Sequence, residues 1–270
     1  MVDRLLFDGT VVLYVLGTGG FLAFLLLDRP KVARAARAIT MAGFAVHSAS
    51  LVARYVGDRV SPTASLLEAL SFFAWAIVGA SIVFQSRYRM PVLGAFATPL
   101  AAMLLLVAST SGGAAPPPSS VPGVWLPIHV GLVFLGDALL ALAACAGLMY
   151  ILQERTLKAK RGGWVTRRFP SLEVLDAVNV RSLTIGFLLL TLGLLSGGVI
   201  ARFASGAITW WEPTVVFSIL TWVLYAVLLH GRVTVGWRGH RAAVLAIAGF
   251  VAVLVTLVGV GLFRVGGHTV

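Results

Sequence analysis

Cysteine and charged residues are scarce in this 270-residue chain. Cys145 is the only cysteine, which excludes an intramolecular disulfide framework, a thiol pair for redox exchange and a paired-cysteine motif for covalent attachment of a cofactor. Charged residues make up only 11% of the chain, whereas hydrophobic residues make up 59%. A composition this poor in charge excludes an ordinary soluble domain, so lipid is expected to be the main solvent.

Sequence motifs of common enzyme classes are also missing. The chain has no phosphate-binding glycine loop, no Gly-x-Ser-x-Gly elbow, no His-Glu-x-x-His pair and no closely spaced pair of carboxylates. We therefore predict no catalytic residues, and the sequence gives no ground for assigning an enzyme activity.

Long apolar runs are abundant instead. A helix that crosses the bilayer needs about 20 mostly apolar residues, and a chain in lipid must satisfy its own backbone hydrogen bonds. The sequence therefore predicts an all-α membrane protein, a single transmembrane domain over residues 1–270 built as a bundle of about eight helices. The predicted spans lie near residues 9–28, 37–57, 66–86, 92–110, 127–152, 181–203, 213–230 and 241–264.

Lysine and arginine indicate the orientation of this bundle. With both termini outside, sixteen of the 21 basic residues fall on the inner side and five on the outer side, as the positive-inside rule requires. Because the basic residues cluster in short loops, the net charge of +11 indicates contact with anionic lipid headgroups and no nucleic acid. The basic stretch from Lys158 to Arg168 has a cytosolic partner site as its alternative role.

Histidines are the most suggestive polar residues. The topology places His129 and His268 at the outer side, His47 near the midplane and His230 at the inner end of the seventh span. A neutral imidazole is a common axial ligand of haem iron, and two imidazoles can bind one iron from opposite faces. Each histidine has an alternative role as a hydrogen-bonded or interfacial residue.

An aromatic pair and one acid complete the candidates. Trp210 and Trp211 precede the seventh span on the outer side, where they form either an interfacial aromatic belt or a shelf for a flat hydrophobic ligand. Asp137 lies about ten residues into the fifth span, and an ionisable residue at that depth is a candidate for function. A small-solute transporter that uses Asp137 is thus a rival hypothesis, although we find no internal repeat.

Several segments, in order, resemble the cytochrome c assembly superfamily, which includes CcsA, CcmC and the shorter HemX-like proteins. The resemblance covers the chain from about residue 40 to the C-terminus. It rests on Leu67-Glu68-Ala69-Leu70 with Phe73-Ala74-Trp75, on Pro127-Ile128-His129-Val130, on Tyr150-Ile151-Leu152-Gln153-Glu154-Arg155, on Pro170-Ser171-Leu172-Glu173 with Asn179-Val180-Arg181, and on Gly236-Trp237-Arg238-Gly239-His240-Arg241-Ala242-Ala243.

This resemblance implies the roles of the histidines. In the family, two external histidines flank a tryptophan-rich segment and ligate haem, and the matching positions are His129, His268 and the segment from Gly206 to Pro213. His230 matches a histidine associated with haem in transit, and His47 resembles the family's histidine in the second span. The chain departs from the family pattern within and beside the tryptophan segment. Ser205 and Thr209 stand where the family has tryptophan, Glu212 stands where it has aspartate, and Thr214-Val215 replaces a charged pair. The departure and the length favour a HemX-like member.

We therefore hypothesise a multi-pass protein of the bacterial inner (cytoplasmic) membrane that binds haem b noncovalently and handles or transports it in cytochrome c biogenesis. Its site residues are expected to be His129 and His268 as axial ligands of a haem at the outer face, beside Trp210 and Trp211. His230, with His47, is expected to form an inner or transit haem site. A second membrane subunit of cytochrome c assembly or a tetrapyrrole-synthesis enzyme is the expected protein partner. A membrane regulator or scaffold of tetrapyrrole biosynthesis is the rival within the family.

Overall fold

A computed structural model describes residues 2–57, 65–110, 125–160, 168–205 and 210–266, and helices account for nearly all of these residues. No β-strand occurs in these ranges. The helices of these ranges are α1 (Val2–Leu27), α2 (Pro30–Gly57), α3 (Leu66–Tyr88), α4 (Gly94–Thr110, entered through a 3-10 turn at Pro91–Leu93), α5 (Trp125–Lys158), α6 (Leu172–Ser205), α7 (Pro213–Thr234) and α8 (His240–Gly266).

Each of these eight described helices forms a segment long and apolar enough to cross a membrane, α4 together with the 3-10 turn before it. The predicted all-α membrane bundle is thereby confirmed. Each predicted span overlaps one helix, and the placement of both termini on the outer side stays a prediction from charge.

The bundle consists of two groups of helices that meet at α5. In the first group α1 packs against α2 and α4, and α3 packs against α4; in the second, α5 packs against α6 and α8, and α7 against α8. Contacts between α3 and α5 join the groups, where Phe134 packs against Phe72 and Phe73 with ring centroids 5.6 and 6.0 Å apart. α5 is the most buried of the membrane-crossing helices described, so it is the core of the molecule.

Glycines allow α5 to approach its neighbours closely. A Cβ atom added to Gly136 would lie 3.1 Å from the Gly186 carbonyl oxygen, and one added to Gly147 would lie 3.0 Å from the Ala243 carbonyl oxygen. Association of helices in lipid depends on packing rather than on the hydrophobic effect, so small residues at the crossing points are what bring the backbones together. These crossings set the distance between α5 and the helices that carry its polar partners.

A polar network closes the end of the bundle where α5 ends and α8 begins. Buried Arg232 of α7 donates hydrogen bonds to Asp176 Oδ2 (2.8 Å) and Asn179 Oδ1 (2.9 Å) of α6. The amide of Asn179 donates to the Ala143 carbonyl of α5 (2.7 Å), and the Gly239 N–H donates to Asp176 Oδ1 (3.3 Å). These bonds join α5, α6, α7 and the turn before α8, which gives a structural role to residues of two family-like segments.

The turn between α7 and α8 requires glycine. Gly239 has a φ of +61°, and a Cβ atom there would lie 2.6 Å from the Tyr150 hydroxyl. Left-handed backbone is readily adopted only by glycine, and the missing side chain also leaves room for the tyrosine. His240 follows directly and its Nδ1 lies 2.7 Å from Glu154 Oε2, so this exposed histidine has a protein partner on α5.

Candidate functional site

His129 lies in the first turns of α5 and is oriented by α6. Its Nδ1 is 2.9 Å from the Gly193 carbonyl oxygen, which can only accept a hydrogen bond, and 3.1 Å from Ser196 Oγ. The Ser196 hydroxyl donates to the same carbonyl at 2.8 Å. Nδ1 must therefore carry the proton in the neutral ring, which leaves the lone pair on Nε2.

Nε2 of His129 has no hydrogen-bond partner among the residues described, and the side chain is half-buried rather than enclosed. A backbone carbonyl that holds Nδ1–H and leaves Nε2 free is the arrangement in which metal-ligating histidines are usually found. The local geometry therefore suits His129 to bind a metal ion or haem iron through Nε2.

The imidazole of His129 lies directly against a glycine of α6. A Cβ atom on Gly197 would lie 2.8 Å from His129 Cε1, closer than carbon atoms normally approach. Gly193, whose carbonyl holds the ring, lies one helical turn earlier on the same face of α6. The glycine spacing of α6 thus makes room for the ring and supplies its hydrogen-bond acceptor.

Trp125 is a neighbour of His129 that sequence reasoning missed. It lies four residues before His129 on α5, so the two side chains share one helix face one turn apart. Its ring is exposed. The i, i+4 spacing of Trp125 and His129 could have indicated this, but Trp125 lies before the span predicted near 127–152.

The other aromatic candidates lie at the same end of the bundle. Trp210 and Trp211, just before α7, are exposed, Trp211 with 89% of its surface accessible. Phe203 in the last turn of α6 is also exposed and extends this aromatic surface. Residues 206–209 of the tryptophan segment lie outside the described residues.

His47 is placed differently, because both of its ring nitrogens are in use. Nδ1 lies 3.2 Å from the Tyr14 hydroxyl of α1, and Nε2 lies 3.0 Å from Ser71 Oγ of α3. The ring is fully buried and makes an edge-on contact with the Tyr14 ring. Iron ligation by His47 would require one of these hydrogen bonds to break, so its observed contacts are those of a residue that joins α1, α2 and α3.

The remaining histidines are not gathered around His129. His230 is exposed in the last two turns of α7, whereas His129 is near the start of α5, so they lie toward opposite ends of the bundle, about 20 Å apart along the helix axes at 1.5 Å per residue. His268 lies outside the described residues. Among the described residues, no three histidine, cysteine, aspartate or glutamate side chains form a group that could hold a metal ion.

Asp137, the residue of the transporter hypothesis, lies two turns beyond His129 on α5. Its carboxyl group makes no hydrogen bond or ion pair with any described side chain. The nearby Tyr225 of α7 is fully buried, and its hydroxyl also has no hydrogen-bond partner in the described part of the chain. Within the described ranges, Asp137 therefore has no polar partner that supports the transporter hypothesis.

Comparison with known proteins decides the family. The sequence model described as "Cytochrome C assembly protein" matches residues 63–268, about three quarters of the chain. The chain belongs to the cytochrome c assembly family. The matched range contains His129, His230, His268, Trp210 and Trp211, but it excludes His47.

Curated members of the cytochrome c assembly family resemble the chain over most of its length. The cytochrome c biogenesis protein CcsA of Prochlorococcus marinus subsp. pastoris (strain CCMP1986 / NIES-2087 / MED4) is 29% identical over 99% of this chain and 93% of its own. CcsA of Prochlorococcus marinus strain MIT 9312 is 33% identical over 77% of this chain and 75% of its own.

A solved structure shows the same fold. The cytochrome c heme lyase CcmF superposes on 97% of this chain with a TM-score of 0.67 and 17% sequence identity. This chain spans about half the length of CcmF, since the match covers 50% of that protein. At this identity the likeness concerns the fold alone.

Proposed function

We propose that this protein binds haem noncovalently through His129 and handles it during cytochrome c biogenesis. The observation that carries the proposal is the hydrogen bond from His129 Nδ1 to the Gly193 carbonyl, which leaves Nε2 available as an axial ligand. His268 is proposed as the second ligand, and it follows the last described residue of α8 by two positions. Haem is proposed as the cargo of this protein, and its iron is the group that the histidines would bind.

The aromatic side chains support the same proposal. Trp125 shares a helix face with His129, and Trp210 and Trp211 are exposed before α7. A porphyrin is a flat apolar ring, and indole rings offer it large contact areas at little cost in conformational entropy. We propose these tryptophans as the apolar surface of the site, with His230 in a separate site at the opposite end of the bundle.

The wider assignment rests on the family. The relatives named above are cytochrome c biogenesis proteins, and CcmF is a cytochrome c heme lyase. We propose that this chain likewise acts in cytochrome c assembly in a bacterial inner membrane, with a second membrane subunit as its partner. The HemX-like assignment and the link to tetrapyrrole synthesis remain hypotheses from the degenerate tryptophan segment.

The first test is an absorption spectrum of the detergent-purified protein with haem supplied during expression. A Soret band with sharp bands after dithionite reduction is expected, because two histidine ligands give low-spin iron. A haem-free protein under these conditions would contradict the proposal and favour the regulatory alternative.

Enlarging Gly197 tests the geometry of the site. Gly197→Ala is expected to lower haem occupancy by about tenfold, because its Cβ would push the imidazole away from the Gly193 carbonyl. Haem content per protein is measured from the reduced spectrum. Gly131→Ala is the matched control, since a Cβ at Gly131 meets no atom within 4 Å. Equal haem occupancy in both variants would argue against haem binding by His129 in this position.

His47 provides a test that separates stability from ligation. His47→Ala is expected to destabilise the protein by about 1–3 kcal/mol, because it leaves the Tyr14 and Ser71 hydroxyls buried without their partner. The reduced haem spectrum is expected to keep its band positions, because His129 is untouched. Unfolding in a detergent titration and the spectrum are measured on the same preparation. A shift in the bands without loss of stability would instead make His47 a ligand.

A further inference from the structure

A pocket of about 460 Å³ lies among the helices of the first group. It is at the end of the bundle where α1 ends, α2 begins and α3 ends. The charge distribution predicts this end to be cytoplasmic. No histidine lines the pocket, so it is distinct from the proposed haem site.

The lining is strongly basic. Arg34, Arg37, Arg89 and Arg168 line the pocket together with one acid, Asp28, so the lining carries three net positive charges. Arg168 Nε lies 3.1 Å from the Asp28 carboxylate. The other three arginines have no carboxylate partner among the described residues. An uncompensated cluster of guanidinium groups attracts an anion.

Three lining residues also present polar atoms that lack partners. Arg37 Nε, Arg168 Nη1 and Gln85 Oε1 are buried and make no hydrogen bond within the described part of the chain. The Arg168 side chain is only 8% exposed. Native proteins leave few buried polar groups unsatisfied, and three beside one pocket mark a polar region that the described side chains do not satisfy by themselves.

The backbone of the pocket is held in an uncommon conformation. Asp28 and Arg89 both lie in the left-handed region, with φ of 55° and 50°. Each residue directly follows a helix, where a left-handed residue commonly ends the helix, so these caps place Asp28 and Arg89 in the lining. The N-terminus of α2 also begins at Pro30 in the lining, so the positive end of the helix dipole adds to the arginines.

We propose that this pocket binds a phosphate group, and that the phosphate belongs to the headgroup of an anionic lipid. Guanidinium groups bind phosphate oxygens in pairs of hydrogen bonds, and the exposed Arg34 and Arg89 of the lining are available for this. The lipid source is favoured because apolar Phe24 and Ala33 lie in the same lining, beside membrane-crossing helices. Basic pockets between such helices on the cytoplasmic side are typical headgroup sites.

Thermal unfolding of the full-length protein in detergent tests this site. Phosphatidylglycerol is expected to raise the Tm, whereas phosphatidylcholine with the same acyl chains and inorganic phosphate alone are not. The double variant Arg34→Gln/Arg89→Asn is expected to need about tenfold more phosphatidylglycerol for the same rise. Both arginines are exposed, and asparagine tolerates the left-handed backbone at position 89, so folding is not at risk.

The matched control is Arg29→Gln/Arg87→Gln. It removes two exposed arginines at the same end of the bundle that do not line the pocket, so its response to phosphatidylglycerol is expected to match the unmodified protein. An equal loss in the two double variants would overturn the site in favour of general charge attraction. Equal stabilisation by both lipids would also overturn it, and stabilisation by inorganic phosphate alone would overturn the lipid source.

A second readout needs no variant. Native mass spectrometry of the unmodified protein is expected to show an adduct with the mass of an anionic phospholipid that survives detergent removal. A protein ion without such an adduct would contradict the proposal.

Discussion

Replacing His129 with alanine is expected to remove most of the haem absorption of the purified protein. The substitution deletes Nε2, the only imidazole nitrogen near the start of α5 that the described residues leave without a hydrogen bond. Changes to residues that merely orient a ligand lower metal affinity by about 10- to 100-fold, so loss of the ligand itself is expected to exceed about a hundredfold. Haem per protein is measured by the reduced spectrum after purification.

His268→Ala is expected to cause a comparable loss of haem absorption, because it removes the second proposed ligand. Any haem that remains is expected to lose its low-spin bands, since the iron keeps only one imidazole. The control is His240→Ala, which removes an exposed imidazole that pairs with Glu154 at the opposite end of the bundle. Its spectrum is expected to be unchanged. If His129→Ala retained a full Soret band with unshifted reduced bands, the outer site would not be built on His129.

The second large effect concerns the polar network between α6, α7 and α8. Arg232→Met is expected to destabilise the protein by about 3 kcal/mol, because it leaves the Asp176 carboxylate and the Asn179 carbonyl without their donor in a buried position. The Arg232 side chain is only 6% exposed and Asn179 is buried, so water replaces the guanidinium poorly at Asn179, whereas the Asp176 side chain is 24% exposed. Stability is measured by unfolding in a detergent titration.

A double-mutant cycle with Asp176→Ala identifies the cause. The double variant is expected to lose less than the two single variants added together, since removing both charges leaves neither one buried alone. Lys158→Met is the comparison for an exposed pair, because Lys158 is 75% exposed and its bond to Glu154 should contribute less than about 1 kcal/mol. Equal losses for Lys158→Met and Arg232→Met would show that burial does not govern the network.

The predicted spans agree with the helices because they depend on local properties. An apolar run of sufficient length has only one conformation that satisfies its backbone in lipid, so composition alone identifies the helices. The ends were less accurate: α5 begins at Trp125 and ends at Lys158, beyond the span predicted near 127–152. Polar residues continue a helix outside the hydrocarbon layer, where hydropathy no longer marks it.

The surroundings of the candidate residues were predictable only in part, and their roles stay predictions. His129 was a candidate from its type and its position at the start of a span, but the same reasoning made His47 a candidate. Trp125 was missed because the predicted span began near residue 127, so Trp125 was not assigned to the helix that carries His129. The sequence identified the family-like segment around Gly239 but not its role. The structure shows that this segment forms a turn in contact with Asp176 and Tyr150.

The sequence by itself determined that the chain is a helical membrane protein and which residues were candidates, because apolar length and residue type are properties of the chain alone. The tertiary structure decided which imidazole nitrogen is available. The partners of His47 lie 33 and 24 positions away, and the carbonyl that holds His129 lies 64 positions away on another helix. Such contacts depend on where helices cross, and the crossings depend on glycines whose partners a single sequence does not identify.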